Sequence, residues 1–177
     1  NLQRKAGEAK DIQSLMGTEG TAAKLYFPHQ FNNCDWKGRR PRAKQDYINA
    51  TLDIGYTLLF NYIDALIKVF GFDAFKGVLH QEFYQRKSLV CDLVEPFRPV
   101  MDLCIRRAIS LRQCKEEDFS RENYHWRLPW SKNKEYVLFL VQPLVERRTE
   151  VFAYVRDYYR AVSKPTLDET ELPVFKL

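Results

Sequence analysis

The spacing of apolar residues predicts helices along most of the chain. Over Tyr47–Phe70 the apolar positions recur at alternating steps of four and three residues, which is the period of a helix that buries one face. The same period extends over Glu8–Phe27, where Pro28 is expected to end the helix, and over Glu135–Val162, where Pro143 is expected near a kink. We therefore predict an all-α fold, a bundle of about five to seven helices.

A further helix is predicted over residues 88–110, and it carries three acidic residues. Its apolar stripe consists of Leu89, Leu93, Phe97, Val100 and Cys104. Asp92, Glu95 and Asp102 lie off that stripe, at spacings that predict one acidic row beside the buried face. Pro96 and Pro99 each remove a backbone N–H, so a kink is expected between the acids, where it would aim their side chains.

Glu19 interrupts the apolar stripe of the first predicted helix. It lies seven residues from both Ile12 and Tyr26, so it is expected to point with them toward the apolar side. A buried carboxylate costs free energy unless it is paired or bound, so the sequence leaves two explanations open, an ion pair with an arginine and a ligand site. Gly17 and Gly20 flank it, which predicts that another backbone or a ligand approaches closely there.

Two segments are rich in basic and aromatic residues. Residues 28–44 form the densest basic run, a predicted loop beside Trp36 that carries Lys37, Arg39, Arg40, Arg42 and Lys44. This pattern suits a loop that contacts DNA phosphates, and it also fits a solvated connector. Residues 111–134 interleave cations with aromatics, which leaves open nucleic-acid contacts and a loop held on the surface by Trp126 and Trp130. No strand pair is predicted.

Composition places these elements in one domain. At 177 residues and 21.0 kDa the chain is long enough for one core and too short for two, so we predict a helical domain over residues 1–162 and an irregular tail over 163–177. No apolar run is long enough to cross a membrane. Four cysteines without a CxxC pair favour reduced thiols in a cytoplasmic protein. The net charge of +5 is compatible with a polyanionic partner.

The most reactive set of side chains is His80 with Asp92, Glu95 and the more distant Glu19. A helical bundle can bring such residues together from facing helices. Carboxylates with a single imidazole suit Mg²⁺ or Mn²⁺ better than structural zinc. The alternative from the residues alone is a histidine that its neighbouring acids satisfy for purely structural reasons.

Four motifs in order resemble the integrase family of CRISPR adaptation, in which a short DNA fragment is joined to a CRISPR repeat. The motifs are Gly17-x-Glu19-Gly20-x-Ala22-Ala23-x-x-Tyr26-Phe27, then Arg39-Arg40-Pro41 ahead of Asn49 and Gly55-Tyr56, then Gly77-x-Leu79-His80, then Ser88-Leu89-Val90-x-Asp92-Leu93-x-Glu95-Pro96-Phe97-Arg98-Pro99-x-x-Asp102. The resemblance covers most of the chain and implies the family's α-helical catalytic domain.

The resemblance also implies a reaction and a site. Glu19, His80 and Glu95 would bind one divalent metal, Mg²⁺ or Mn²⁺, and Asp92 would be a neighbouring catalytic acid. The 3′-hydroxyl of a short spacer precursor duplex would attack a phosphodiester at the border of the repeat, which is a transesterification. The predicted DNA contacts are Arg39, Arg40, Arg42, Lys44, Lys87, Arg147 and Arg148, whereas Arg98 is expected to pair with Glu95.

The same resemblance implies partners and shows two departures. Expected partners are DNA, further copies in a dimer or tetramer and the small second CRISPR-associated adaptation subunit, in the prokaryotic cytoplasm and without a membrane. The chain begins at Asn1 and lacks the family's β-rich N-terminal domain, so we expect a shortened or compact form. Asp53 stands where the family pattern has asparagine. Two alternatives to an integrase remain, a catalytically silent DNA-binding scaffold and a divalent-metal DNA nuclease of repair type.

Overall fold

A computed structural model describes residues 2–32, 34, 36, 38–80, 83–166 and 172–176. Within them the chain forms seven α-helices and one short hairpin, which confirms the all-α prediction. The helices are α1 Leu2–Gly7, α2 Ile12–Gln30, α3 Tyr47–Val69, α4 Ser88–Val94, α5 Arg98–Ser110, α6 Trp130–Glu146 and α7 Arg148–Val162. Single 3₁₀ turns span Glu95–Phe97 and Glu116–Asp118, and the strands are β1 Ser120–Glu122 and β2 His125–Arg127.

Helix α3 is the centre of the core and has almost the predicted bounds. It packs against α4, α5, α6 and α7. Asp46 caps its first turn by accepting a hydrogen bond from the Asn49 amide at 2.6 Å. Leu52, Leu59 and Ile63 are fully buried along its length. The uninterrupted apolar period therefore identified the one helix that other helices surround.

Gly55 allows two helices to approach α3 closely. A Cβ atom at this position would lie 3.3 Å from Cδ1 of Ile105, 3.4 Å from Cδ2 of Leu140 and 3.5 Å from Cε of Met101. Those three side chains belong to α5 and α6. The absence of a side chain at Gly55 thus determines how closely α5 and α6 approach α3.

The first predicted helix, Glu8–Phe27, corresponds to α2, and both of its predicted bounds are wrong. Asp11 and Ser14 form a capping box, in which the Ser14 amide donates to Asp11 Oδ1 at 2.7 Å, so α2 begins at Ile12. The helix also continues past Pro28 to Gln30. It does so because the Phe31 amide still bonds the Phe27 carbonyl at 3.1 Å and the Phe31 ring is buried.

The predicted kink between the acids is present. Helix α4 ends at Val94, the 3₁₀ turn Glu95–Phe97 follows, and α5 begins at Arg98. Pro99 leaves the Glu95 carbonyl without its α-helical donor, and the Arg98 amide bonds that carbonyl instead. Asp92 and Glu95 consequently lie on different elements with different surroundings.

The expected helix over residues 135–162 is broken, and the break follows Pro143. Helix α6 ends at Glu146 and α7 begins at Arg148. Pro143 cannot donate to the Phe139 carbonyl, which accepts a hydrogen bond from Cys104 Sγ at 3.3 Å instead. Pro143 therefore lies inside α6 without leaving the Phe139 carbonyl unpaired, and the break comes four residues later, at Arg147.

The expectation that residues 111–134 hold no strand pair is wrong. Strands β1 and β2 pair antiparallel, with Arg121 opposite Trp126. The Trp126 amide donates to the Lys44 carbonyl at 2.9 Å, which joins the hairpin to the loop before α3. Trp126 is half-buried as expected, whereas Trp130 is 87% exposed and does not hold the segment down.

The predicted tail over 163–177 lies partly outside the described residues. Within the described part, Phe175 packs on Phe97 with ring centroids 4.5 Å apart, and the Arg147 guanidinium lies 5.6 Å from the Phe175 ring centroid. This end of the chain therefore contacts the turn that carries Glu95. In the described part of the chain, no helix combines the length and apolar character that crossing a membrane requires.

Filling the Gly55 seam tests this packing. We expect Gly55→Val to lower the free energy of unfolding by about 1–3 kcal/mol, because its added methyl groups would press on α5 and α6. Chemical denaturation followed by circular dichroism measures the change. Gly20→Ala is the control, since no described atom lies within 4 Å of a Cβ there. An equal loss of stability in both variants would contradict the close approach.

Candidate active site

Asp92 holds the loop that presents His80. Its carboxylate accepts backbone hydrogen bonds from Val78 at 2.5 Å, from Leu79 at 3.1 Å and from His80 at 3.0 Å. The His80 ring nitrogen Nδ1 lies 2.7 Å from Asp92 Oδ1. A carboxylate only accepts, so Nδ1 carries the proton and Nε2 is the nitrogen left for a ligand. Asp92 thus fixes both the position and the tautomer of His80.

Gly77 makes this loop possible through close approach. A Cβ atom at Gly77 would lie 2.5 Å from the His80 carbonyl oxygen, 2.7 Å from Cβ of Ser88 and 2.9 Å from Oδ2 of Asp92. Two of these contacts are with the very groups that hold the loop together. The sequence Gly77-x-x-His80 therefore has a steric basis, since any larger residue displaces either the histidine backbone or the carboxylate.

Glu95 lies in a partly buried acidic environment next to one arginine. Burial raises the pKa of Glu95, the nearby Arg98 guanidinium lowers it, and the neighbouring Glu19 carboxylate raises it further. Arg98 Nη2 lies 3.1 Å from Glu95 Oε1, which confirms the expected pair. His80 and Asp92 also act on the Glu95 carboxyl. The four predicted site residues are thus electrostatic neighbours.

The structure corrects the prediction that Glu19 points toward the buried side. Glu19 is exposed, and none of the described side chains of α2 is buried. The apolar stripe of α2 is itself largely uncovered, since Ile12 is 37% and Met16 44% exposed. No other described atom lies within 4 Å of a Cβ built at Gly17 or Gly20. Glu19 therefore reaches Glu95 from the solvent side.

The side chains of Glu19, His80 and Glu95 are of the kinds that bind a divalent cation, but they lie farther apart than the ligands of a formed metal site. His80 has the ring orientation that a carboxylate commonly fixes for metal binding, and Glu19 and Glu95 are neighbouring acids that gain from a shared cation. In the described ranges, however, no three His, Cys, Asp or Glu side chains are grouped closely enough to hold a metal ion. Asp92 is occupied by its four hydrogen bonds, which makes it a positioning residue for His80.

Asp102 is a buried acid whose role the sequence did not reveal. The prediction placed it off the buried face, yet it is only 1% exposed. Its two carboxylate oxygens accept hydrogen bonds from the Tyr56 hydroxyl at 2.5 Å and the Tyr26 hydroxyl at 3.1 Å. Burial raises the pKa of Asp102 to about 6, against the opposing effect of both phenols. The available signal was spacing, because Asp102 follows Glu95 by seven residues and Tyr26 follows Glu19 by seven.

Arg39 is anchored to α3. Its guanidinium contacts Asp53 Oδ1 at 2.6 Å and Asn49 Oδ1 at 3.1 Å, and its side chain is only 12% exposed. It also lies 5.2 Å from the Tyr56 ring centroid. The aspartate that departs from the family pattern is therefore the partner of this arginine. A phosphate contact by Arg39 stays a prediction.

The other predicted DNA contacts are distributed over two surfaces. Arg40 is exposed and donates to Gln45 at 2.8 Å, Arg42 is exposed at the turn before α3, and Lys44 is half-buried behind them. Lys87 pairs with the buried Asp64 at 2.8 Å. Arg147 pairs with Glu150 at 3.3 Å, and Arg148 donates to the Val145 carbonyl at 3.0 Å. Arg40 and Arg42 are thus the freest cations in the set.

A substitution at Gly77 tests whether the loop positions His80. We expect Gly77→Ala to break the His80 to Asp92 contact, because the added methyl group would overlap the His80 carbonyl. The imidazole NMR signals of His80 report the contact, and they should move toward those of a free histidine. Gly7→Ala is the control, since no described atom lies within 4 Å of a Cβ there. Unchanged His80 signals would refute the steric argument.

The buried Asp102 predicts a dependence of stability on pH. Its folded-state pKa of about 6 exceeds the ordinary value of 3.8, so the folded protein binds this proton more tightly than the unfolded chain. The resulting stabilisation is complete below about pH 4 and is lost as pH rises to about 6. Relative to Asp102→Asn, the wild type should lose on the order of 3 kcal/mol across that range. Urea denaturation at several pH values measures it, and a constant difference would contradict the raised pKa.

Comparison with known proteins identifies the family of the chain. A family model described as CRISPR associated protein Cas1 matches residues 1–139. The CRISPR-associated endonuclease Cas1 4 of Methanospirillum hungatei is 32% identical over 143 residues, which cover 78% of this chain and 40% of that protein. The chain therefore spans less than half the length of this relative.

Solved structures share the fold at low sequence identity. A Cas1 protein from Thermotoga maritima has a TM-score of 0.86 at 23% identity, over 95% of this chain and 58% of that one. A casposase bound to an integration product has a TM-score of 0.82 at 24% identity, over 99% of this chain and 56% of that one. A partial Cas6-RT-Cas1–Cas2 complex has a TM-score of 0.82 at 24% identity, over 99% of this chain and 57% of that one. Together with the match over residues 1–139, these findings show that the chain belongs to the Cas1 family and has the fold of its helical C-terminal domain.

Proposed function

We propose that this chain provides the catalytic domain of a CRISPR-adaptation integrase, which joins the 3′-hydroxyl of a short DNA fragment to the CRISPR repeat. The observation that carries the proposal is the Asp92 carboxylate, which holds the His80 loop in a chain of the Cas1 family, and the charges of Glu19 and His80 both act on the nearby Glu95 carboxyl. Curated relatives are named endonucleases, and one structural neighbour is a casposase bound to an integration product.

In this proposal each site residue has one role. Glu19, Glu95 and Nε2 of His80 would hold a Mg²⁺ or Mn²⁺ ion, whose chemistry when bound is to polarise the scissile phosphate and stabilise charge on the reacting oxygens. Asp92 keeps His80 in the correct tautomer through Nδ1. Arg98 would neutralise part of the charge on Glu95, which would reduce its repulsion from the Glu19 carboxylate.

The proposed reaction exchanges one phosphodiester for another. The 3′ oxygen of the fragment forms a bond to the repeat phosphorus as the bond to the repeat's own 3′ oxygen breaks, so a new 3′-hydroxyl is released and no water is consumed. A nuclease at the same site would instead consume water and leave two free ends. The products therefore distinguish an integrase from a repair-type nuclease.

Basic residues near the site would position the DNA. A cavity of about 510 Å³ next to Arg98 is lined by Lys24, Phe27, Arg39 and Tyr56, among others. Its cations and aromatic rings suit a DNA strand, and the exposed Arg40 and Arg42 adjoin Arg39 in the same loop. We propose that these groups contact phosphates and fix the register of the strand. Lys44, Lys87, Arg147 and Arg148 would extend the contact surface.

The proposal includes partners beyond DNA. A second copy of the chain and the small second CRISPR-associated subunit are expected from the motif resemblance, and a structural neighbour is a complex that contains Cas1 and Cas2. A second candidate function is a silent DNA-binding scaffold. The open spacing of the described acids favours this alternative, because no three donors are grouped for a metal.

Substitutions of two site residues test catalysis. We expect Glu19→Gln and His80→Ala each to lower the rate of strand joining by about two orders of magnitude or more, because each removes a ligand of the ion that would stabilise the reacting phosphate. The assay uses the full protein, short duplexes with 3′-hydroxyls and a plasmid with a CRISPR array, in Mn²⁺ with and without a chelator. Glu8→Gln and His29→Ala are matched controls at exposed positions.

The same assay separates the two candidate functions. Chelator-sensitive joined products that vanish only in the site variants would support the integrase. Wild-type rates in folded Glu19→Gln and His80→Ala proteins would reject it. Salt-sensitive DNA binding without any joined product would support the scaffold.

A further inference from the structure

Asp102 connects three helices through one buried carboxylate. It lies on α5, and its oxygens accept the hydroxyl of Tyr26 from α2 and the hydroxyl of Tyr56 from α3. Both bonds cross between elements that are distant in sequence. The predicted roles for the site residues leave this network unused, although it lies between the helices that carry them.

The bond to Tyr26 controls the helix of Glu19. None of the described side chains of α2 is fully buried, and its half-buried contacts with the core lie toward the end that carries Tyr26 and Phe27. Among hydrogen bonds between described side chains, the bond from Tyr26 to Asp102 is the one that joins α2 to another helix. This bond therefore adds a directional contact to the packing of Phe27 on the core.

The bond from Tyr26 to Asp102 lies the same number of residues after each of the two acids, Glu19 and Glu95. Tyr26 follows Glu19 by seven residues, and Asp102 follows Glu95 by seven. Seven residues are about two helical turns, or about 10 Å, so each pair lies on one face of its segment. Joining Tyr26 to Asp102 therefore limits how far the segment that carries Glu19 can lie from the segment that carries Glu95. The influence of Glu19 on the Glu95 carboxyl agrees with that limit.

The bond from Tyr56 to Asp102 also affects Glu95, through Arg98. The Tyr56 ring lies 5.2 Å from both the Arg39 and the Arg98 guanidinium. Arg98 in turn contacts Glu95 at 3.1 Å. Holding the phenol of Tyr56 therefore also limits where Arg98 lies, and through it the carboxylate of Glu95.

We propose that Asp102 is a positioning residue, which sets the distance between Glu19 and Glu95 through its hydrogen bonds to Tyr26 and Tyr56. The inference rests on the proposed metal site and goes beyond it, because it assigns the spacing of the metal-binding acids to a carboxylate that does not touch the metal. A buried carboxylate is a costly way to fill a core, and a fixed orientation of its partners is what an apolar residue could not supply.

Binding of Mn²⁺ to the full protein tests this role. Electron paramagnetic resonance of free Mn²⁺ gives the dissociation constant and the number of sites. We expect Tyr26→Phe to raise the dissociation constant about tenfold, the usual effect of losing a partner that orients metal ligands. Strand joining should recover to near the wild-type rate at saturating Mn²⁺. Tyr159→Phe removes a phenol from the ring cluster of Phe70 and Phe72, and it should leave the constant unchanged.

A double-mutant cycle identifies the bond itself. Asp102→Asn keeps the size of the side chain but changes its hydrogen bonding, and it should also weaken Mn²⁺ binding. If both changes act through one bond, the double variant should bind no more weakly than the weaker single variant. Additive losses would overturn the proposal.

The remaining outcomes are also decisive. A purely structural role for Tyr26 would lower the number of sites through loss of folded protein and leave the dissociation constant as it is, which would overturn the proposal. An equal shift in Tyr159→Phe would do the same. A folded wild type that binds no Mn²⁺ would overturn the metal site, and with it the role of Asp102. If Tyr26→Phe joins DNA strands and binds Mn²⁺ with the wild-type dissociation constant, the positioning role is rejected and the integrase proposal stands.

Discussion

Burial of the apolar face of α3 is the interaction on which the rest of the structure depends. Helices α4, α5, α6 and α7 all pack on it, and its residues Leu52, Leu59 and Ile63 are excluded from water. Removing that surface from water is the main source of stability in such a bundle. Gly55 lets α5 and α6 come close, so the acidic motif of α4 and α5 is held at a defined distance from α3.

Within this frame, prolines and carboxylates direct the functional side chains. The turn at Glu95–Phe97 separates Asp92 from Glu95, so Asp92 faces the His80 loop while Glu95 faces Arg98. Two acids of this motif, Asp92 and Asp102, are satisfied by donors of different kinds. Asp92 takes backbone amides and Asp102 takes phenols. Their different partners explain why neighbouring acids in one motif have different tasks.

Much of the architecture could be predicted, because helical period and proline placement are local properties. The bounds of α3 and the break between Asp92 and Glu95 follow from residues near each other in the chain. The errors arise where distant contacts override local signals. The helix continues through Pro28 because Phe31 is buried, and a hairpin forms because Trp126 bonds to the Lys44 carbonyl.

By itself the sequence determined the helical class, the order of the motifs and the identity of the acids and histidine that mark the family. Only the tertiary structure decided where those side chains face. Periodicity placed Glu19 with Ile12 and Tyr26, but whether that face is buried depends on what packs against α2. Ile12 and Glu19 stay exposed, whereas Tyr26 is half-buried against Asp102. Asp102 is buried for the converse reason, since α2 and α3 meet over it and supply the phenols that satisfy its charge.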